Sequence, residues 1–378
     1  MKTLNLVTTA RELGEAKAVS LEGLSEDESA IGALSALAEA KLLEWTVPAQ
    51  FGGADATGLA DENAISVRAL CAIRDELAWH SGMLDVMFVM QGLGSYPVAL
   101  GGAKELRNSV LPDVACGKQV AAFGLTEPNA GSSLGEISTT AELIGGNWVL
   151  NGTKTFITNA GIATFYSVLA RTSGEPGDGG RDSLTMFHVP ASSRGLEVER
   201  FEVMAPHPIG EVRFDAVSVA DSHRLGEMGS GLEIALATLG RFRTSVAAAA
   251  CGFARRALDC SLDHLRTRHQ FGRPLAKFQG LRFDIAEMDM RLRAAQLLVN
   301  EAAEALDRGD DAIKEVARAK LYATEMASWV CDRAVQHHGG LGVKRGQVVE
   351  RLFREVRALR IYEGTSEIQK SILAKELF

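Results

Sequence analysis

The stretch Arg360-Ile361-Tyr362-Glu363-Gly364-Thr365-Ser366-Glu367-Ile368-Gln369-Lys370, near the C-terminus, reads as a short turn feeding a helix. Ser366 and Gln369 have capping-box spacing, and Ile368, Ile372 and Leu373 then recur on one helical face. Glu363 stands just ahead of that helix, beside a glycine that lets the backbone take an unusual shape. A carboxylate on such a turn, flanked by Tyr362 and Ile361, is open to partial desolvation, which raises its pKa and suits a general base. A solvated glutamate near a helix start is the simpler account of this stretch alone, and the other stretches decide.

Upstream of it the pattern is helical back to Gly231. Leu232, Ala235, Leu236, Leu239, Val246, Ala249, Phe253, Ala257, Leu258 and Leu265 trace one stripe, and further helices are expected at about 275–307, 311–338 and 348–358. Long helices with short connections argue for a bundle. Between about 120 and 229 short β-rich runs alternate with turn residues. Gly145-Gly146-Asn147 reads as a hairpin turn. The first hundred residues read as helices again. The expected fold class is therefore α+β and multidomain: an N-terminal helical domain (1–119), a small central β domain (120–230) and a C-terminal helical bundle (231–378).

A chain of 378 residues can bury a sizeable core, and its net charge of −8 argues against general nucleic-acid binding, which needs a basic surface. The five scattered cysteines show no C-x-x-C spacing, so neither a disulfide framework nor a zinc site is expected. Adjacent His337 and His338 point to different faces of a helix and make a poor metal pair, so no metal is expected. The first ten residues lack a signal pattern, and the apolar run Met83 to Val89 is broken by Asp85. The expectation is a soluble, cytoplasmic protein without a membrane span.

Four further stretches suggest chemistry. The loop 123–133, Phe-Gly-Leu-Thr-Glu-Pro-Asn-Ala-Gly-Ser-Ser, offers backbone N–H groups and hydroxyls to a flat polar ligand, although a plain strand-end loop explains it too. Lys154 to Gly161 alternates like a strand that ends in polar residues. The basic, aromatic turn Arg268-His269-Gln270-Phe271-Gly272-Arg273 can hold a phosphate and cover a ring, or can simply connect two helices. Gln336-His337-His338-Gly339-Gly340 ends a helix with a pair of glycines suited to a left-handed cap. No Walker A, G-x-G-x-x-G or G-x-S-x-G pattern occurs.

In this order and spacing the stretches resemble the acyl-CoA dehydrogenase family over nearly the whole chain. The resemblance implies a helical domain, a central β barrel and a four-helix bundle, assembled as a homotetramer with one FAD per subunit. By position, it implies that Phe123, Leu125, Thr126 and Ser132 line the flavin from one side and that Phe156 and Thr158 lie against it from the other. Arg268, Phe271, Gln336 and Gly340 would reach the FAD of a neighbouring subunit, and Thr365 and Glu367 match further FAD contacts. Ser132, Arg243 and Gly364 match positions near the substrate.

Glu363 matches the family's catalytic base. Some members carry the base on the first bundle helix, where this chain has Phe242, which cannot serve. The implied reaction is α,β-dehydrogenation of an acyl-CoA to the trans-2-enoyl thioester. Glu363 would take the α-proton while the β-hydride passes to flavin N5, and electrons would leave to an electron-transfer flavoprotein or similar acceptor. Two departures from the family pattern, at 203–211 and at Gly240, leave the thioester carrier open between CoA and an acyl-carrier protein. A flavin oxidase or monooxygenase on the same fold is a further alternative. Val86, Val89 and Gln91 are the residues expected to bound the acyl pocket.

Overall fold

Helical periodicity in the first part of the chain is realised as five α-helices: α1 (Lys2–Glu22), α2 (Glu26–Glu39), α3 (Val67–His80), α4 (Gly82–Gly101) and α5 (Lys104–Ala115). The computed structural model describes residues 2–56, 59–61, 64–178 and 180–378. Helix α2 starts where Ser25 and Glu28 close a reciprocal capping box, so two N-terminal donors are satisfied locally. Helix α3 begins at Val67. Asp307, from a later helix, takes hydrogen bonds from Val67 N (2.7 Å) and Arg68 N (3.3 Å), supplying the negative charge that a helix N-terminus favours.

The β-rich middle gives β1 (Ala121–Gly124), β2 (Thr140–Ile144), β3 (Asn147–Thr158), β4 (Phe165–Arg171), β5 (Leu184–Pro190), β6 (Leu196–Arg200), β7 (Ile209–Ala220) and β8 (Arg224–Leu225). They form one mixed sheet in the order β6-β7-β3-β2-β4-β5-β8, with β1 paired in parallel to β4. Gly145 and Gly146, both at positive φ, make the two-residue turn between β2 and β3. The long β3–β7 pair carries register shifts between Leu150 and Gly152 and between Lys154 and Ile157. These bulges break the strict alternation of side chains and turn Phe156 outward. Trp148, Leu150, Tyr166, Val168, Phe187, Val212 and Phe214 form the core against the sheet.

The remaining helices are α6 (Gly231–Thr267), α7 (Gln279–Arg308), α8 (Ile313–His338), α9 (Val348–Leu359) and α10 (Ser366–Leu377). A two-stranded hairpin, β9 (His269–Gln270) with β10 (Arg273–Pro274), joins α6 to α7. Helix α7 begins four residues later than its expected start, because Leu275–Lys277 forms a 3-10 turn. Of the apolar stripe read along α6, Leu236 is exposed, whereas Val246 to Ala250, Phe253 and Ala257 are buried.

The chain forms two compact units, each discontinuous in sequence. One comprises Met1–Glu15, Val67–Asp85 and Arg243–Phe378, and its core is the small-residue face of α6 packed with α7 and α8. The other comprises Ala16–Ser66 and Val86–Phe242 and contains the sheet. Among the described residues one helix has the length and hydropathy of a membrane span. It is Gly82–Gly101, and 83% of its apolar window is buried inside the protein. Its Asp85 is neutralised by Arg74 through two hydrogen bonds of 2.7 Å.

Within the second unit a buried ion pair shapes the loop after β1. Lys154 Nζ lies 2.7 Å from Glu127 Oε1 and 3.0 Å from the Leu125 carbonyl. Glu127 also accepts from Ser138 N, Ser138 Oγ and Thr139 N. Burial pushes the Glu127 pKa up, but Lys154 and these donors outweigh it and bring it down to about 2. Burial lowers Lys154 to about 8 against the pull of Glu127, so both groups are charged at neutral pH. Removing one partner of such a pair strands the other charge. Glu127→Ala is expected to cost about 3–5 kcal/mol, read by denaturant titration, and Glu127→Gln less, since it keeps one acceptor oxygen for the 138–139 segment.

Candidate active site

The turn that opens the C-terminal helix is built from captured carbonyls. Helix α9 closes with Ile361 N and Tyr362 N both donating to Ala358 O. The next two residues are left-handed, Glu363 at φ +53° and Gly364 at φ +94°. Arg243 Nε donates to Glu363 O at 2.8 Å, Lys320 Nζ donates to Gly364 O at 2.6 Å, and Gln369 Nε2 adds a bond of 3.0 Å to the same Gly364 oxygen. The chain then enters α10 through Thr365, whose Oγ1 accepts from Ile368 N at 3.3 Å. The cap is thus one residue earlier than the capping-box spacing suggests. Ser366 Oγ is directed to Glu325 at 2.6 Å, and the Gln369 side chain is spent on the turn.

Glu363 Oε2 is enclosed and has no hydrogen-bond partner. The Glu363 N–H likewise makes no hydrogen bond among the described residues. Burial pushes the Glu363 pKa up, opposed by the positive charges of Arg74, Arg243 and Lys320 and reinforced by Asp85. Arg74 is itself buried, bound to Asp85 and to Ser245 Oγ at 2.9 Å. Burial also lowers Arg243, with Glu363 pulling it back. The result is one carboxylate with a free oxygen, poised by burial against three fixed cations.

Sequence reasoning did not single out Lys320 or Arg74, and read Asp85 only as a break in an apolar run. A signal was present: Lys320 interrupts the buried stripe Ala317, Lys320, Thr324, Ala327 of α8, and Arg74 lies among the buried residues Leu70, Cys71, Leu77 and Ala78 of α3. A charge on an apolar face has to find a partner inside the protein.

Phe242 is fully buried, edge-on to Tyr96 with ring centroids 5.9 Å apart, and offers no proton acceptor. Phe123 and Leu125 are buried at the end of β1, Thr126 is half-buried, and Ser132 is exposed on the following loop. Phe156 lies on the β3 bulge at φ +55°, exposed, with its ring edge-on to Phe201 at 5.2 Å, and Thr158 Oγ1 is 3.4 Å from His207 Nε2. Gln91 is fully buried. Its amide is consumed by Val114 O, Gln119 O and Ala121 N, tying α4 to the start of the sheet.

In the helical unit, Arg268 and Phe271 sit on the β9–β10 hairpin, with Phe271 at φ +52° and 91% exposed. His264, one turn before Arg268, stacks on His338 at 4.2 Å, bringing the end of α6 to the end of α8, where Gln336 and Gly340 are exposed. His337 faces Asp284 at 3.3 Å, and no group of three potential metal ligands occurs among the described residues. Glu367 is exposed in the first turn of α10, next to its cap Thr365.

A helix–sheet–helix order with an enclosed carboxylate oxygen ahead of the last helix belongs here to an oxidoreductase acting on the CH–CH bond of an acyl-CoA, the class that its family and structural neighbours indicate. Profiles of the acyl-CoA dehydrogenase N-terminal, middle and C-terminal domains match residues 4–118, 122–217 and 229–378, and the chain belongs to the acyl-CoA dehydrogenase family. It is 34% identical over 371 residues to cyclohexane-1-carbonyl-CoA dehydrogenase of Geobacter metallireducens, covering 97% of this chain and 94% of that one. It is 37% identical over 308 residues to the caffeyl-CoA reductase–Etf complex subunit of Acetobacterium woodii, covering 79% of each. The solved butyryl-CoA dehydrogenase of Megasphaera elsdenii superposes with a TM-score of 0.90 at 30% identity, over 99% of this chain and 97% of that one.

The family's members are FAD-dependent flavoproteins. The residues present fit that group. Two bulky aromatics, Phe156 and Phe271, hold a backbone conformation uncommon for their type, with their rings in the open, and such strain persists where a ligand uses the ring. Gly339 and Gly340 leave open space where side chains would stand. The turn itself is directly testable. Gly364→Ala forces a Cβ onto a left-handed residue and within 2.6 Å of Gln369 Nε2. A loss of about 1–3 kcal/mol is expected, seen as a lower Tm.

Proposed function

We propose that this chain oxidises an acyl-CoA to its trans-2-enoyl thioester, with Glu363 as the base that removes the α-proton. The observation that carries the reading is the Glu363 carboxyl, with one oxygen enclosed and unpartnered on a turn held by three side chains. A burial-raised pKa makes the carboxylate a stronger base than a solvated glutamate. The α-proton of a thioester is weakly acidic, so charge developing on the thioester oxygen has to be met by fixed donors. The unoccupied Glu363 N–H is such a donor, pointing from the same residue that takes the proton. Arg243, bound to Glu363 O, orients that peptide.

Bound FAD supplies the two-electron acceptor for the β-hydrogen. Phe123, Leu125, Thr126, Ser132, Phe156 and Thr158 would hold it in the sheet unit. The resemblance assigns Arg268, Phe271, Gln336 and Gly340 to the FAD of a second copy of the chain, and Thr365 and Glu367 to further contacts with the cofactor. Ser132, Arg243 and Gly364 would lie along the substrate. A homotetramer is the assembly we infer, supported by the exposed Phe271 and by the exposed apolar row Phe283, Met290 and Leu297 along α7. The relatives' names cover both directions of one bond change, dehydrogenase and reductase. An electron-transfer flavoprotein, named with the Acetobacterium relative, is the acceptor that would drive dehydrogenation.

The test is anaerobic mixing of the yellow protein with a panel of acyl-CoA and acyl-carrier-protein thioesters, following loss of flavin absorbance. Bleaching by an acyl-CoA is expected, and Glu363→Gln should slow it by about 10²–10⁴-fold. Unchanged bleaching in Glu363→Gln would place the base elsewhere, and bleaching by carrier-protein thioesters alone would replace CoA as the carrier. The base must be ionised to act, so kcat/KM falls as pH drops through the Glu363 pKa. That acid limb should lie above the pH at which an ordinary glutamate titrates.

A further inference from the structure

Lys320 is a fully buried lysine on α8, and its ammonium ends on the backbone carbonyl of Gly364 at 2.6 Å. Among the described residues it makes no ion pair within contact distance, whereas the buried cations Arg74 and Lys154 each hold a carboxylate directly. Burying an ammonium against one carbonyl is costly unless the surrounding charges compensate. The compensating charge is Glu363, the residue just before Gly364. Lys320 therefore meets the turn in two ways, mechanically through the Gly364 oxygen and electrostatically through the adjacent carboxylate.

We propose that Lys320 is a positioning residue for the base: it holds the Gly364 carbonyl so that Glu363 keeps its left-handed backbone, and it places a buried positive charge near the Glu363 carboxyl. The inference rests on the reading of Glu363 as the base. The groups facing this cluster are Arg74 from α3, Asp85 from α4, Arg243 from α6, Glu325 from α8 itself, Tyr362 from the turn and Glu367 from α10. Arg243 holds the neighbouring carbonyl from α6, so one cation anchors each of two successive peptides. Burial lowers Lys320 to about 8, with Glu363 pulling it up and Arg243 pushing it down. It is thus charged at neutral pH. Removing a cation beside a carboxylate favours the protonated acid, so Glu363 should titrate at higher pH when Lys320 is replaced by a neutral residue.

Three substitutions separate the two roles. Lys320→Met removes both the bond and the charge, Lys320→Gln keeps a donor without charge, and Lys320→Arg keeps the charge. The deciding measurement is the infrared carboxyl band of protonated Glu363, assigned by its absence in Glu363→Gln and followed through a pH titration of the FAD-loaded protein. Titration at higher pH in the Met and Gln variants, with the Arg variant close to wild type, is the expected result. The acid limb of kcat/KM should move the same way, and kcat in Lys320→Met should fall by roughly 10–100-fold. An infrared titration identical to wild type in both the Met and Gln variants overturns the proposal, whatever happens to kcat. If Lys320→Met does not fold, Lys320→Gln decides alone. The band is read without substrate, so failure of the base assignment, seen as undiminished bleaching in Glu363→Gln, remains distinguishable from failure of this one.

Discussion

The geometry of the candidate site depends on two successive peptide carbonyls held by buried donors. A non-glycine residue in the left-handed region costs about 1–2 kcal/mol, and Glu363 bears that cost at φ +53°. Hydrogen bonds to charged donors contribute about 1.5–3 kcal/mol each, so the bonds from Arg243 and Lys320 more than offset it. The balance has a direction. Without the two cations the turn would relax toward ordinary helix-end geometry, and the Glu363 side chain would lose the orientation that leaves one oxygen unpartnered. The two residues that hold the strained backbone also act, after burial and Arg74, on the basicity of the side chain.

The buried charges elsewhere follow a related logic. Arg74–Asp85 and Lys154–Glu127 are both closed, hydrogen-bonded pairs, and such pairs are weak sources of net stability because each ion is desolvated. What they fix is shape. Lys154 and Glu127 tie β3 to the loop 125–139, including the Leu125 carbonyl and the 138–139 amides, so that loop has one conformation. Arg74 and Asp85 tie α3 to the start of α4 and set a compensated charge near Glu363, which a lone arginine would hold far too acidic. Asp85 makes Arg74 tolerable beside a group that has to accept a proton.

The helices and most strands were legible because their signal is repeated: the period of α6 to α8 is carried by dozens of residues, and the Gly145-Gly146 turn by two glycines with one plausible use. The family was legible because five short stretches kept their order. The details that went astray are those fixed by single contacts. The cap of α10 falls on Thr365 because Glu325 claims the Ser366 hydroxyl, and no local pattern reports a partner 41 residues away. The Gln91 amide, likewise, is bound by three backbone groups that lie 23 to 30 residues away.

Local rules are broken here in a way that points to use. Six non-glycine residues among those described hold positive φ: Lys41, Phe156, Asn159, Ala216, Phe271 and Glu363. Three of the six, Phe156, Phe271 and Glu363, are among the residues that the family resemblance assigns to cofactor or catalysis. Phe and Glu are poorly suited to that region, unlike Asn, so chance placement is disfavoured by conformational energy at each. Two of the three hold an aromatic ring in solvent, which gains nothing for an isolated chain and forfeits burial of apolar area. A sequence keeps such residues when something outside the polypeptide completes them, and a flat aromatic cofactor would cover those rings and return the burial they lack.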